Sequence, residues 1–132
     1  MPQTGIIIVS HSQQLAEGVV ELVTEMGSSS VSVKAAGGTG DGRIGTNAIR
    51  IQEAIESFSE CKNILVYCDL GSAIISTETA LDLIDEDLAE KVRIVDCPLV
   101  EGAFVGVVQA SITDDVDDII AVSEEAREMR KL

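Results

Sequence analysis

The chain has 132 residues, a length that suits one domain over residues 1–132 with a substantial core. Its 23 acidic and 9 basic side chains give a formal charge of −14, which repels phosphate backbones and anionic lipid headgroups, so nucleic acid and membrane are poor partners. One tyrosine, two phenylalanines and no tryptophan leave no stacking surface for bases or a flavin ring. The acidic surface serves solubility and also suits a basic protein partner.

Residues 5–9, Gly-Ile-Ile-Ile-Val, form a short apolar run without alternation, as in a strand buried on both faces of a parallel sheet. The run ends in Ser10-His11-Ser12, and His11 is the only histidine. From Gln13 the period becomes helical, with Leu15, Val19, Leu22, Val23 and Met26 on one face. Gly27 and three serines break that pattern, and residues 31–36 alternate as a half-buried or edge strand does. Five glycines then fall within residues 37–45, a composition that demands a loop with unusual backbone angles or a close approach to a ligand.

Thr46 or Asn47 can cap the next helix, which buries Ile51, Ala54, Ile55 and Phe58. Residues 63–68 are a third strand, ending in Asp69-Leu70-Gly71-Ser72. The following helix carries Ala73, Thr77, Leu81 and Ile84 on one side and runs into Asp85-Glu86-Asp87. Residues 92–97 are a fourth strand, stopped by Pro98, and residues 99–112 an apolar helix with Val100, Phe104, Val107 and Val108 as its contacts. A last helix starts near Thr113 and runs to the chain end. Asp114 and Asp115 lie in its first turn and Arg127, Arg130 and Lys131 in its last, a polarity that complements the helix dipole.

Strands alternating with helices indicate an α/β fold with an open, mostly parallel sheet and helices on both faces. The expected strand order is 2-1-3-4, with a switch point between strands one and three where ligands bind. His11, the glycine loop and residues 69–72 then converge on one crevice. Cys61, Cys68 and Cys97 show no Cys-x-x-Cys pair, and two of them fall in expected strands; they read as buried, reduced thiols of a cytoplasmic protein. Nothing at the amino terminus reads as a signal peptide.

One histidine without cysteine partners gives too few metal ligands, and no Gly-x-Ser-x-Gly elbow supports a hydrolase. Phosphoryl acceptance fits better, because a neutral imidazole is a nucleophile near neutral pH. The following helix start offers amides and a positive dipole end to phosphoryl oxygens, and a carboxylate such as Asp69 can fix the ring tautomer. Residues 40–45 match Gly-x-Gly-x-x-Gly but follow the second strand, which argues against a dinucleotide fold. No Gly-Lys-Ser/Thr occurs, so the glycine loop either closes over a phosphoryl group or is purely structural. Asp69 could suggest a receiver domain, but strand one lacks the acidic pair and strand four the lysine.

Three segments carry a family resemblance: Ser10-His11-Ser12-x-x-Leu15-Ala16-Glu17-Gly18, Ala36-Gly37-Gly38-Thr39-x-Asp41-Gly42-x-Ile44-Gly45-Thr46, and Val95-Asp96-x-Pro98-Leu99-Val100-Glu101-Gly102-Ala103. Together they resemble the phosphotransferase subunits of phosphoenolpyruvate-dependent dihydroxyacetone kinases, within the mannose-type IIA family of the bacterial sugar phosphotransferase system. The resemblance implies that His11 is phosphorylated by the carrier HPr. His11 would pass the group to ADP, with Mg²⁺, on a nucleotide-binding kinase subunit, so this chain itself carries no cofactor and no metal. It also implies a homodimer. Gly40 and Asn47 depart from the family pattern, which commonly has an acidic residue and a serine there.

The reading that follows is a phosphohistidine relay. His11 is the phospho-acceptor, Asp69 orients it, and Gly38, Thr39, Gly71 and Ser72 bind the phosphoryl group. The alternatives are a sugar-specific mannose-type IIA transport component, a non-catalytic regulatory binding module and a small nucleotide-binding domain.

Overall fold

The computed structural model describes residues 2–132. Four strands, β1 (Thr4–Ser10), β2 (Val31–Gly37), β3 (Asn63–Cys68) and β4 (Val92–Val95), form one parallel sheet of order β2-β1-β3-β4. Six helices cover it: α1 (Gln13–Thr24), α2 (Ala48–Ser57), α3 (Gly71–Leu81), the single turn α4 (Glu86–Ala89), α5 (Leu99–Ala110) and α6 (Val116–Glu125). This is the α/β architecture and strand order expected from the sequence.

β1 and β3 lie at the centre and are buried at every position. Their side chains alternate between two cores, as the pleat requires. Ile7, Val9, Ile64 and Val66 meet Ile51 and Ile55 of α2 and Ala73 and Ala80 of α3. Ile6, Ile8, Leu65 and Tyr67 meet α1, α5 and α6 through Val19, Val23, Val107 and Ile119. Both faces are covered, so the central strands carry apolar residues without a polar alternate. β2 sits at an edge and is only partly buried, with Lys34 exposed.

Two helices turn a different face inward than their largest residues suggest. α1 buries Ala16, Val19 and Val23, while Leu15, Leu22 and Met26 are exposed. α5 buries Gly102, Ala103, Gly106, Val107 and Ala110, leaving Val100 and Val108 exposed and Phe104 half-buried. The reason is steric, since small residues let a helix axis approach the sheet closely. Gly106 shows the need, because a Cβ there would stand 2.2 Å from the Tyr67 hydroxyl and 2.9 Å from Ser123 Oγ.

Other boundaries shift as well. α3 ends at Leu81, and Ile84 packs on the core from beyond it. The acidic stretch forms α4, with Asp85 at the N-cap position making no side-chain cap bond and Glu86 and Asp87 in the first turn, where acidic residues suit the helix dipole. β4 stops at Val95, its last pairing being with Tyr67, so Cys97 lies outside the strand and is half-buried. All three cysteines are free.

α6 begins at Val116 with Asp115 as its N-cap, accepting from the amides of Asp117 and Asp118, and ends at Glu125 before a 3₁₀ turn (Ala126–Glu128). Arg127, Arg130 and Lys131 therefore do not complete a helix dipole. Arg127 instead donates to the carbonyls of Glu124 and Asp96, and Lys131 pairs with Glu101 at 2.7 Å. No helix among the described residues is long and apolar enough to cross a membrane.

Candidate functional site

The parallel register places the site. Ser10 is opposite Gly37, and Val9 is opposite Cys68, so His11, Gly38 and Asp69 leave the sheet together at its carboxyl edge. Asp69 N–H continues the ladder by donating to Val9 O at 3.1 Å. This edge is the topological switch point, where the chain departs from β1 and β3 in opposite directions.

Asp69 organises the histidine. Its Oδ1 accepts from His11 Nδ1 at 3.0 Å and from the Leu70 amide at 2.7 Å. Its Oδ2 accepts from the His11 amide at 3.0 Å and the Ser10 hydroxyl at 2.9 Å. Burial alone would raise this carboxyl, but the His11 amide, the His11 ring and the Ser10 hydroxyl together hold it below its usual value. An ionised carboxylate only accepts, so the proton of the neutral ring lies on Nδ1 and the lone pair on Nε2. That nitrogen faces the Ser72 hydroxyl at 2.6 Å. The ring is about one-fifth exposed, open enough to be reached from outside.

Ser72 belongs to the first turn of α3, which has no side-chain cap. The amides of Gly71 and Ser72 therefore lack helical partners, and the positive end of the helix dipole lies beside Nε2. The start of α1 plays a different part from the one expected of it. Ser12 caps it by accepting from the Leu15 amide, and the Ser12 amide itself donates to Ser10 Oγ. The open helix end at the ring is that of α3, although α1 follows His11 in the chain.

The glycine loop is clipped to the same edge at both ends. Gly38 N–H donates to Ser10 O at 3.0 Å, and Gly45 N–H donates to His11 O at 2.9 Å. Gly38, Gly40, Gly42 and Gly45 all have positive φ, a conformation that only glycine adopts without strain. Between the clips, Asp41 gathers the loop: the Thr39 hydroxyl and the Arg43 guanidinium both donate to its carboxylate. Thr46 Oγ1 meets Ser76 Oγ at 2.5 Å, tying the loop to α3. Asn47 caps α2 through Oδ1 and holds Thr39 O through Nδ2, both at 2.9 Å, so one side chain ties the loop to the helix start.

Of the candidate residues, Asp69 and Ser72 meet opposite nitrogens of the His11 ring, and Gly71 precedes Ser72 in the same helical turn. The amide of Gly38 is engaged with Ser10, and the amide and hydroxyl of Thr39 with Arg43 and Asp41, so these two hold the loop. Sequence reasoning passed over Ser10, fully buried between Asp69 and Ser12, although a polar residue ending a strand of isoleucines was a signal. It also passed over the pairing of Asp41 with Arg43, for which i, i+2 spacing in a glycine loop offers no regular pattern. Among the described residues, no group of three or more His, Cys, Asp or Glu side chains could hold a metal ion.

Residues 5–120 match the family described as PTS system fructose IIA component. The chain is 47% identical over 116 residues to the PEP-dependent dihydroxyacetone kinase 2 phosphoryl donor subunit DhaM of Listeria innocua serovar 6a, covering 88% of this chain and 93% of that protein. It is 42% identical over 130 residues to the corresponding DhaM of Escherichia coli (strain K12), where 96% of this chain spans only 28% of the relative. A crystal structure of a protein of unknown function superposes with a TM-score of 0.86 at 34% identity, covering 98% of this chain and 97% of the other. The chain belongs to the EIIA-man family, the PTS system fructose IIA components.

Proposed function

We propose that this chain is a phosphohistidine relay: His11 accepts a phosphoryl group from HPr and passes it to ADP on the nucleotide-binding subunit of a dihydroxyacetone kinase. The observation that carries the reading is the state of the ring. Asp69 holds the proton on Nδ1, which leaves the Nε2 lone pair beside the uncapped first turn of α3.

Nε2 attacks the phosphorus of the phosphohistidine on HPr. The new N–P bond forms as the old one breaks, and the departing imidazole of HPr keeps the electron pair. No proton leaves this chain, since the proton stays on Nδ1, hydrogen-bonded to the Asp69 carboxylate, whose charge stabilises the positive ring that results. The Ser72 hydroxyl and the amides of Gly71 and Ser72 receive the phosphoryl oxygens. In the second half-reaction a terminal oxygen of ADP attacks the same phosphorus and Nε2 recovers its electron pair. Mg²⁺ arrives with the nucleotide on the partner. Relatives named as phosphoryl donor subunits of dihydroxyacetone kinases support this acceptor over a sugar-transport subunit. The same reading makes the chain a cytoplasmic homodimer.

The test is intact mass after incubation with phosphoenolpyruvate, enzyme I and HPr. One acid-labile phosphoryl addition is expected, absent in His11→Ala, with unchanged circular dichroism in that variant. An alanine variant that still carries labile phosphate would overturn the assignment. Loss of the addition on mixing with ADP-loaded kinase subunit, with ATP formed, identifies the acceptor.

A further inference from the structure

We propose that Arg43 is a phosphoryl-binding residue, held on Asp41 in the unphosphorylated protein and transferred to the phosphoryl group once His11 carries it. This rests on the relay reading of His11 and adds to it a cation and an exchange of partners.

A phosphoryl group on Nε2 brings roughly 1.5 to 2 negative charges at neutral pH. The direct side-chain partners of the ring are Asp69, itself an anion, and Ser72, which is neutral. Neither offsets the added charge. The loop clipped to His11 by the Gly45 amide presents a guanidinium two residues earlier in the chain. Gly42, Arg43 and Ile44 wall a recess whose other side is Ser12, Gln13 and Gln14, the residues directly after His11, with the carboxylate-bearing Glu17 one turn further along α1.

The set of donors already assembled is one that suits a phosphoryl group. Arg43 Nε donates to Asp41 Oδ1 and Oδ2 at 3.1 and 2.9 Å, its Nη2 lies 2.7 Å from Oδ2, and its backbone amide donates to Oδ1 at 3.3 Å. The Thr39 hydroxyl joins them. A fork of guanidinium, hydroxyl and amide donors binds phosphate oxygens as it binds a carboxylate, and a more highly charged oxyanion binds it more strongly. Asp41 thus occupies a phosphoryl-like position within its own loop. The Arg43 and Thr39 donors hold its carboxyl down at about 2, so it is charged throughout the neutral range.

Displacement is easy. The side chains of Arg43 and Asp41 are 78% and 53% exposed, so their attraction is screened and Asp41 regains water when released. Glycines with positive φ at 40, 42 and 45 flank the pair, so the backbone on either side carries no side chain that would restrict a change of partner.

The experiment follows the phosphorylated chain by ³¹P NMR across pH, with no partner present, and times its phosphorylation by HPr. A neighbouring guanidinium lowers the second phosphoryl pKa, so Arg43→Ala is expected to raise it by about half a unit to one unit, with Arg43→Lys in between. Uptake in Arg43→Ala should slow on the order of tenfold. Asp41→Asn releases Arg43 and should take up phosphate at least as fast as the parent. Arg50 reaches the loop from the α2 side, close to Gly40, and Arg50→Ala should leave the titration unmoved. An unshifted titration in Arg43→Ala overturns the proposal, as does an equal shift in Arg50→Ala or slowed uptake in Asp41→Asn. A parent chain that takes up no phosphate removes the His11 reading itself, and this proposal with it.

Discussion

Asp69 takes four hydrogen bonds on two oxygens, and each one fixes something different: the ring tautomer, the His11 backbone, the end of β1 and the start of the α3 turn. Asp69→Asn keeps the shape but removes the charge and presents amide protons to at least one of those donors. Phosphoryl uptake should fall on the order of 10²-fold or more, because Nδ1 loses the acceptor that keeps its proton. The carboxyl lies below its ordinary value of 3.8, so its contribution to stability is fully present above that value. It is lost as pH falls through the depressed folded-state pKa. Acid unfolding followed by circular dichroism should therefore show a parent advantage over Asp69→Asn that is constant above about pH 5 and shrinks below about pH 4. His11 and Asp69 were legible in the sequence because each is a chemically distinctive side chain directly after an apolar strand. Ser10 and Arg43 were not. A serine at a strand end is common, and an arginine in a glycine loop has no periodicity to betray its partner.

At the level of elements, the third strand is fastened to the last helices by one buried polar contact. Tyr67 Oη and Ser123 Oγ stand 2.8 Å apart beneath Gly106, and the Ser123 hydroxyl also reaches Ile119 O. Gly106→Ala forces a Cβ into this contact and should cost about 1–3 kcal/mol by urea unfolding. Ser123→Ala strands the buried Tyr67 hydroxyl and should destabilise by about 1 kcal/mol or more, Tyr67→Phe should cost less because Ser123 keeps Ile119 O, and the two should couple in a double-mutant cycle. Additive losses would show that the contact contributes nothing of its own. β1, β3 and α2 were readable because burial on two faces, or on one clear stripe, leaves an unmistakable run. α1 and α5 were misread for one shared reason. A pattern weighted by side-chain size favours leucine and phenylalanine, whereas the close approach to the sheet selects Ala16, Gly102, Ala103 and Gly106. The carboxyl end of α6 was misread because its basic residues reach across to Asp96 and Glu101 rather than back along a helix.

The whole molecule carries 23 acidic against 9 basic side chains, and this balance acts with opposite sign on its two kinds of encounter. Two copies repel each other; a basic partner is drawn in. The exposed apolar side chains Leu15 and Leu22 of α1, Met26 just past its end and Val108 of α5 lie on neighbouring elements of one sheet face, which the homodimer proposed above would bury. Raising salt from about 50 to 500 mM shortens the screening length from over 10 Å to under 5 Å. Self-association by analytical ultracentrifugation should then tighten, while the rate of phosphoryl transfer from HPr should fall severalfold or more. A monomer at micromolar concentration at both salt levels would remove the dimer, and a salt-independent transfer rate would remove the electrostatic attraction. The burial of Tyr67 has a use beyond stability. With no tryptophan in the chain, its ultraviolet emission comes from a single phenol, buried far from solvent and held neutral to high pH by that burial. A label-free optical signal thus reports whether β3, α5 and α6 are assembled. It originates beneath α5 rather than at the reactive ring, so an inactive His11 variant can be told from an unfolded one in the same cuvette.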